Sequence, residues 1–134
     1  MAKPRVFVTR RIPDEALSIL RTACEVHTWD HEDEPVPQDE LVRRLQEADG
    51  ALVVGPHRID AALMDAAPRC RVYANMAVGY DNIDVEAATA RGILITNTPG
   101  VLTETTADLA FGLMIAAARR LYEGQRTIVE GRGK

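Results

Sequence analysis

The chain has 134 residues, enough for one domain, or one domain with an appendage, and for a sizeable buried core. With 46% hydrophobic and 27% charged residues it reads as globular rather than disordered. A formal charge of −4 argues against a nucleic acid or an anionic membrane surface as partner, since both need a basic face.

Arg5 to Thr9 is a short β-branched run and opens the chain as a first strand. Pro13 starts a helix with Asp14 and Glu15 in its first turn, where the macrodipole favours acids, and with Ala16, Leu17 and Leu20 as its apolar stripe. Glu25 to Trp29 is a second strand, followed by an acidic, proline-flanked surface loop from Asp30 to Pro37. A second helix begins at Pro37-Gln38-Asp39-Glu40, with Leu41, Val42 and Leu45 turned inward and Arg43 and Arg44 outward. Ala51 to Val54 is a continuous apolar strand ended by Gly55-Pro56. Asp60 caps a third helix through Met64, Arg71 to Ala74 is a fourth strand, and Asp84 caps a fourth helix that stops at Gly92. Ile93 to Thr96 is the fifth strand. After Pro99-Gly100, Thr103 caps the last and longest helix, which runs at least to Arg120.

Strands alternate with helices, and the strands are apolar runs, the pattern of a parallel sheet covered on both faces. With right-handed crossovers the expected architecture is α/β, a flavodoxin-like doubly wound parallel five-stranded sheet with a long C-terminal helix. Residues 1–100 form the sheet domain and 101–134 the helix. That helix carries Leu109, Phe111, Leu113, Met114 and Ile115 all round its axis, so a second domain, a second subunit or both must cover it. Glu104, Asp108, Arg119 and Arg120 bracket a run too short to span a membrane. Nothing from Met1 to Arg11 resembles a secretory h-region. Cys24 and Cys70, isolated and without metal-ligand spacing, read as reduced, buried thiols, and the expected compartment is cytoplasmic. His27, His31 and His57 are scattered, and no metal site is expected.

Ligands of such sheets sit at the carboxyl ends of the strands. The loops there are Thr9-Arg10-Arg11, Gly55-Pro56-His57-Arg58, Asn75 to Tyr80, and Asn97 to Gly100. Read by itself, Gly79 is either part of a backbone nest for a carboxylate or an ordinary turn glycine. His57 and Arg58 are either ligand contacts or exposed loop residues, and Asp81 is either catalytic or a turn carboxylate holding backbone amides. A hydrolase is disfavoured, because Ser18 is the sole serine and sits on a helix, and neither cysteine has a histidine partner in sequence. A phospho-acceptor receiver needs acids clustered at the ends of strands one and three, where this chain has Thr9-Arg10 and Val54-Gly55.

Asn75 to Asp84, Ala87 to Ile93 and Thr96 to Ala110, with their spacing, closely resemble the D-2-hydroxyacid dehydrogenase family, and Val6 to Arg10 looks like that family's opening strand. The resemblance covers essentially the whole chain. Pro99 to Asp108 looks like the glyoxylate/hydroxypyruvate reductase branch. The resemblance implies the substrate-binding (lid) portion of an enzyme that reduces glyoxylate or hydroxypyruvate with NAD or NADP as cofactor. It implies that the backbone of Val78 and Gly79 holds the 2-oxo acid's carboxylate and that the loop at Val54 and Gly55 closes over the substrate. It implies further that Val78 and Thr106 touch the cofactor near its nicotinamide. Met76 departs from the aromatic residue common in relatives, and Gly55-Pro56 from bulkier residues in that loop.

The resemblance also implies that the family's catalytic arginine, glutamate and histidine lie downstream of the matched segment, so none is assigned here. No Gly-x-Gly-x-x-Gly occurs, and Gly131-Arg132-Gly133 is an accidental fragment at a helix end. The chain alone is therefore expected to be inactive and to bind no dinucleotide tightly. The long helix is expected to begin the dinucleotide-binding domain and to form a homodimer. The alternative is a non-catalytic carboxylate-binding or dimerisation module.

Overall fold

The computed structural model describes residues 2–132, so Gly133 of the Gly131-Arg132-Gly133 fragment lies outside the described residues. The elements in order are β1 (Arg5–Val8), α1 (Asp14–Ala23), β2 (Glu25–Thr28), α2 (Gln38–Gln46), β3 (Gly50–Val53), α3 (Ala61–Ala66), β4 (Val72–Asn75), α4 (Val85–Ala90), β5 (Leu94–Thr96), α5 (Thr103–Ala118) and α6 (Leu121–Val129). They form two compact units, one ending at Pro99 and the other beginning at Gly100.

The first unit is a five-stranded sheet in the order β2-β1-β3-β4-β5, with every pairing parallel. Strand alternation sorts the core into two clusters. Phe7, Ala51, Val53 and Tyr73 point to one face, where Leu41 and Leu45 of α2, Leu63 and Met64 of α3 and Ala88 of α4 cover them. Val8 and Val54 point to the other face, where Leu17 of α1 and the preceding Ile12 pack with half-buried Val6, Val26 and Leu52. Coverage is therefore uneven: three helices serve one face and α1 the other. Edge strand β5 leaves Leu94 68% exposed. At Gly50 the Val72 side chain fills the place of a side chain, since a Cβ there would stand 2.7 Å from Val72 Cγ1.

Local chemistry accounts for the ends of the elements. Asp60 and Asp84 accept from the backbone N–H groups of Leu63 and Ala87 at 3.0 and 2.8 Å, the N-caps expected of them. Gly92 takes the left-handed conformation (φ 63°) just past α4. Three details differ from expectation. Ala16 is exposed, and Ile12 takes its place beside Leu17 because the turn before α1 folds back onto the sheet. Val36, in the acidic loop, is 4% exposed and belongs to the main core. Cys70 is fully buried, which raises its thiol pKa to about 11, whereas Cys24 is only half-buried.

In the second unit Thr103 is the first residue of α5 and not its cap; Leu102 precedes it, without a side-chain cap. The expected single helix to Arg120 is divided. α5 ends at Ala118, and Arg120, at φ 52° and ψ 42°, turns the chain into α6. Arg119 and Arg120 give their N–H groups to Ile115 and Ala117, which closes the end of α5. No described residue of α5 or α6 is buried, and among the described residues no helix is long and apolar enough to cross a membrane.

Candidate functional site

The carboxyl ends of β1, β3 and β4 share one rim, because the three strands are neighbours and parallel. At β1, the buried Thr9 hydroxyl donates to the Val54 carbonyl at 3.1 Å and accepts from the Val54 N–H at 2.8 Å. Both backbone groups of Val54 are thus occupied, and its side chain is buried. Gly55, at φ 103°, is exposed, with nothing within 4 Å of the place a Cβ would take. Of this expected pair, solvent reaches Gly55. Between the ends of β1 and β3 lies an open hollow of about 130 Å³ lined by Thr9, Arg10, Glu32, Val54 and Gly55. Arg10 Nε donates to the Glu32 carbonyl across it.

The loop after β4 adjoins this hollow's β3 wall, since the Met76 N–H donates to the Val53 carbonyl at 2.9 Å. Val78 and Gly79, expected to hold a carboxylate, are both exposed, Val78 to 41%. Gly79 does not adopt positive φ, so no left-handed nest forms there. Its missing side chain keeps the loop's outer surface open instead: a Cβ would meet only Asp81 Oδ1, at 3.0 Å. Asp81 accordingly stands as a carboxylate beside Gly79, and among the described residues its side chain holds no backbone amide. Met76, 49% exposed, and Tyr80, 56% exposed, flank the loop.

Three asparagines hold this loop. Asn75, 3% exposed at the end of β4, donates to the Gly79 carbonyl at 2.9 Å. Asn75 and Asn82 face each other amide to amide at 3.3 and 3.4 Å, and Asn82 Nδ2 also donates to the His57 carbonyl at 3.1 Å. Asn97, beyond β5, donates to the Val78 carbonyl at 2.8 Å. Backbone bonds add the Ile59 N–H to the Asn82 carbonyl at 2.8 Å and the Thr98 N–H to the Ala77 carbonyl at 2.9 Å, while Ile59 pairs with Ile83. The loops after β3 and β4 are stitched into one body. Sequence reasoning passed over these asparagines. The available signal was that short amides follow strands four and five, where turn carbonyls need donors.

His57 is 6% exposed, which corrects the expectation of a solvent-facing loop histidine. The stitching through Asn82 draws its backbone inward, and burial lowers its imidazole pKa. Among the described residues its Nε2 has no hydrogen-bond partner, and neither has the hydroxyl of Tyr73. Ser18 donates to the Glu15 carbonyl within α1, as a solvent-side helix residue does. Thr106 lies in the first turn of α5, exposed, its N–H bound to the Leu102 carbonyl. Among the described residues no cluster of three or more His, Cys, Asp or Glu could hold a metal ion. The β1–α1 turn, Thr9 to Pro13, has no glycine, so it offers no seat for the pyrophosphate of a dinucleotide.

The family model described as D-isomer specific 2-hydroxyacid dehydrogenase, catalytic domain, matches residues 6–127. Over 132 residues the chain is 50% identical to a glyoxylate reductase of Korarchaeum cryptofilum, covering 98% of this chain and 40% of that protein. Among solved structures it superposes on a protein of Thermus thermophilus with TM-score 0.83 and 45% identity, over 97% of this chain and 42% of that one. It also superposes on an NADPH-dependent glyoxylate/hydroxypyruvate reductase from Sinorhizobium meliloti, in complex with NADP and malonate, with TM-score 0.71 and 34% identity. That match covers 98% of this chain and 39% of the other. The chain thus spans about two fifths of the length of the relatives it matches.

Proposed function

The chain belongs to the D-isomer specific 2-hydroxyacid dehydrogenase family, and from that membership we propose that it is the substrate-binding portion of an NAD(P)-dependent enzyme reducing glyoxylate or hydroxypyruvate to the 2-hydroxy acid. The observation that carries this reading is that Val78, Gly79 and Gly55 are all exposed in loops at the carboxyl-end rim of a parallel sheet. Backbone N–H groups suit a carboxylate, because each gives a charge-assisted hydrogen bond without a charged side chain to desolvate. Gly55 leaves room above the bound acid, and the Asn82 stitch keeps both loops at a fixed separation. Val78 and Thr106 are assigned to the nicotinamide end of the dinucleotide.

The residues present do not fit the dinucleotide's phosphates, so its tight binding is assigned to sequence other than this segment. A dinucleotide held elsewhere would supply the reducing chemistry. This chain's part is to hold the acid's carboxylate and so fix the direction in which its carbonyl faces, a matter of positioning. We assign the exposed apolar surface of α5 to a homodimer contact, since five large side chains there are each at least 46% exposed.

The reading is tested by following NADH and NADPH consumption with glyoxylate and hydroxypyruvate. The longer enzyme carrying this segment is expected to turn over at least one of the two, and the 134-residue chain neither. Turnover of neither acid by the longer enzyme defeats the proposal. Sedimentation tests the dimer: Leu113→Glu is expected to convert a dimer to a monomer, and a monomeric unsubstituted chain rejects that assignment.

A further inference from the structure

The acidic loop from Asp30 to Pro37 contributes only Val36 to the main core, yet it is tied down along its length. The Arg11 N–H donates to the His31 carbonyl at 3.3 Å, Arg10 Nε to the Glu32 carbonyl at 2.5 Å, and Trp29 Nε1 to the Glu34 carbonyl at 2.9 Å. A run of acids that is merely solvated needs no such anchors. All three bonds fall on backbone carbonyls, so they place the loop without engaging its carboxylates. Glu32, Asp33 and Glu34 then line the hollow between β1 and β3, beside Arg10 and Gly55. Among the described residues Glu32 and Asp33 have no ion-pair partner, and Glu34 has only His31, at 3.8 Å. Nor do the carboxylates converge on a cation, since among the described residues no cluster of three could hold a metal ion. One guanidinium against three carboxylates leaves the lining with a formal charge of −2.

The rim order β1, β3, β4 puts this hollow on the far side of Gly55 from the loop after β4. We infer that the hollow receives the tail of the 2-oxo acid, and that Glu32, Asp33 and Glu34 make it a charge filter that admits an uncharged tail and turns away a second carboxylate or a phosphate. This rests on the carboxylate reading of the loop after β4 and deepens it, from the group that is held to the class of tail that is allowed. Size does not make the choice. The hollow has about 130 Å³ and a water needs only roughly 10–15 Å³, so a hydroxymethyl and a carboxymethyl tail both enter. Charge makes it. Exposed charges act weakly one at a time, and three of one sign around one hollow add. Arg10 offsets one of them, and its Nε is spent on holding the loop at the Glu32 carbonyl.

The test follows NADH or NADPH consumption by the longer enzyme carrying this segment, with hydroxypyruvate and oxaloacetate as acids whose tails are hydroxymethyl and carboxymethyl. The parent is expected to favour hydroxypyruvate in kcat/KM. Glu32→Gln, Asp33→Asn and Glu34→Gln together are expected to raise the oxaloacetate-to-hydroxypyruvate ratio roughly threefold to tenfold, and each alone by about twofold. Added salt is expected to raise the same ratio in the parent by screening and to leave it level in the triple variant, a response that a purely structural loop would not give. Where oxaloacetate is not turned over, its Ki against hydroxypyruvate is read in place of kcat/KM. Thermal unfolding identifies a triple variant that fails to fold; Asp33→Asn, which removes no side-chain bond, then carries the test. If neither glyoxylate nor hydroxypyruvate is turned over, the carboxylate reading falls and the filter with it. If hydroxypyruvate is turned over but the ratio ignores the substitutions or the salt, or the parent takes oxaloacetate as readily, the carboxylate reading stands and the filter is overturned.

Discussion

In the sheet unit Phe7, Leu41, Leu45, Ile59 and Tyr73 are at most 1% exposed; in α5 Leu109, Phe111, Leu113 and Met114 are each 60% exposed or more. The first unit holds itself together by removing apolar surface from water. The second has helix hydrogen bonds and surface ion pairs such as Arg126–Glu130, at 2.8 Å, and helices of this length standing alone are marginal in water. The difference teaches where each unit's stability resides. Residues up to Pro99 carry their own core, whereas the apolar side chains of α5 and α6 are exposed and contribute no such burial.

That contrast can be broken most directly in the core. Leu45→Ala is expected to cost roughly 2–5 kcal/mol of unfolding free energy, because it opens a cavity where the side chain is fully buried. The same cut at Leu113 in a monomer is expected to cost less than about 0.5 kcal/mol. Urea unfolding monitored by Trp29 fluorescence measures the first and by the circular dichroism of the helices the second, and comparable losses would erase the distinction. The helix ends give a smaller version of the same comparison. Asp84→Ala removes a cap bond of 2.8 Å and is expected to cost about 1 kcal/mol, while Thr103→Ala, which removes no cap, stays within about 0.5 kcal/mol. Equal effects would show that α5 is capped in solution in a way these contacts do not provide.

Arg120→Gly sharpens the comparison from the other side. A side chain at φ 52° is strained, and glycine relieves it at the expense of an exposed ion pair with Glu123 at 3.5 Å. The net gain is expected to be about 0.5 kcal/mol in the helicity and melting of the second unit, with the sheet unit unchanged. A loss of helicity would mean that this turn is held by contacts beyond its own backbone.

The smallest effect is one of pH. Burial lowers the His57 pKa below the ordinary 6.5, so the unfolded chain binds the proton more tightly than the folded one. His57 therefore leaves the fold undiminished above the unfolded value and weakens it as pH falls below about 6.5, until the folded pKa is reached. His57→Leu is expected to flatten that part of the pH–stability curve in the sheet unit. Identical curves for the two proteins would place the imidazole in water after all.

Much of the fold was legible in the residues because its signals are local. Apolar runs at β1, β3 and β4 announced buried parallel strands, Asp60 and Asp84 announced helix starts, and Gly92 a helix end; each depends on neighbours within a few positions. The all-round apolarity of α5 likewise follows from a period of 3.6 residues. The exposed positions of Val78 and Gly79 came from strand order plus the rule that ligands meet the carboxyl ends of strands.

Tertiary structure alone decided the rest, because those features join residues far apart in sequence. Thr9 occupies both backbone groups of Val54 across 45 positions, which buries one expected site residue and leaves Gly55 beside it. Asn82 reaches back 25 positions to His57 and turns a loop histidine into a buried one. Asn97 reaches 19 positions back to the Val78 carbonyl. A sequence names the amides and the carbonyls but not which amide meets which carbonyl. Hydrogen bonding between them is worth only about 1 kcal/mol each, so partners are chosen by where packing of the sheet brings the loops and not by any preference readable along the chain.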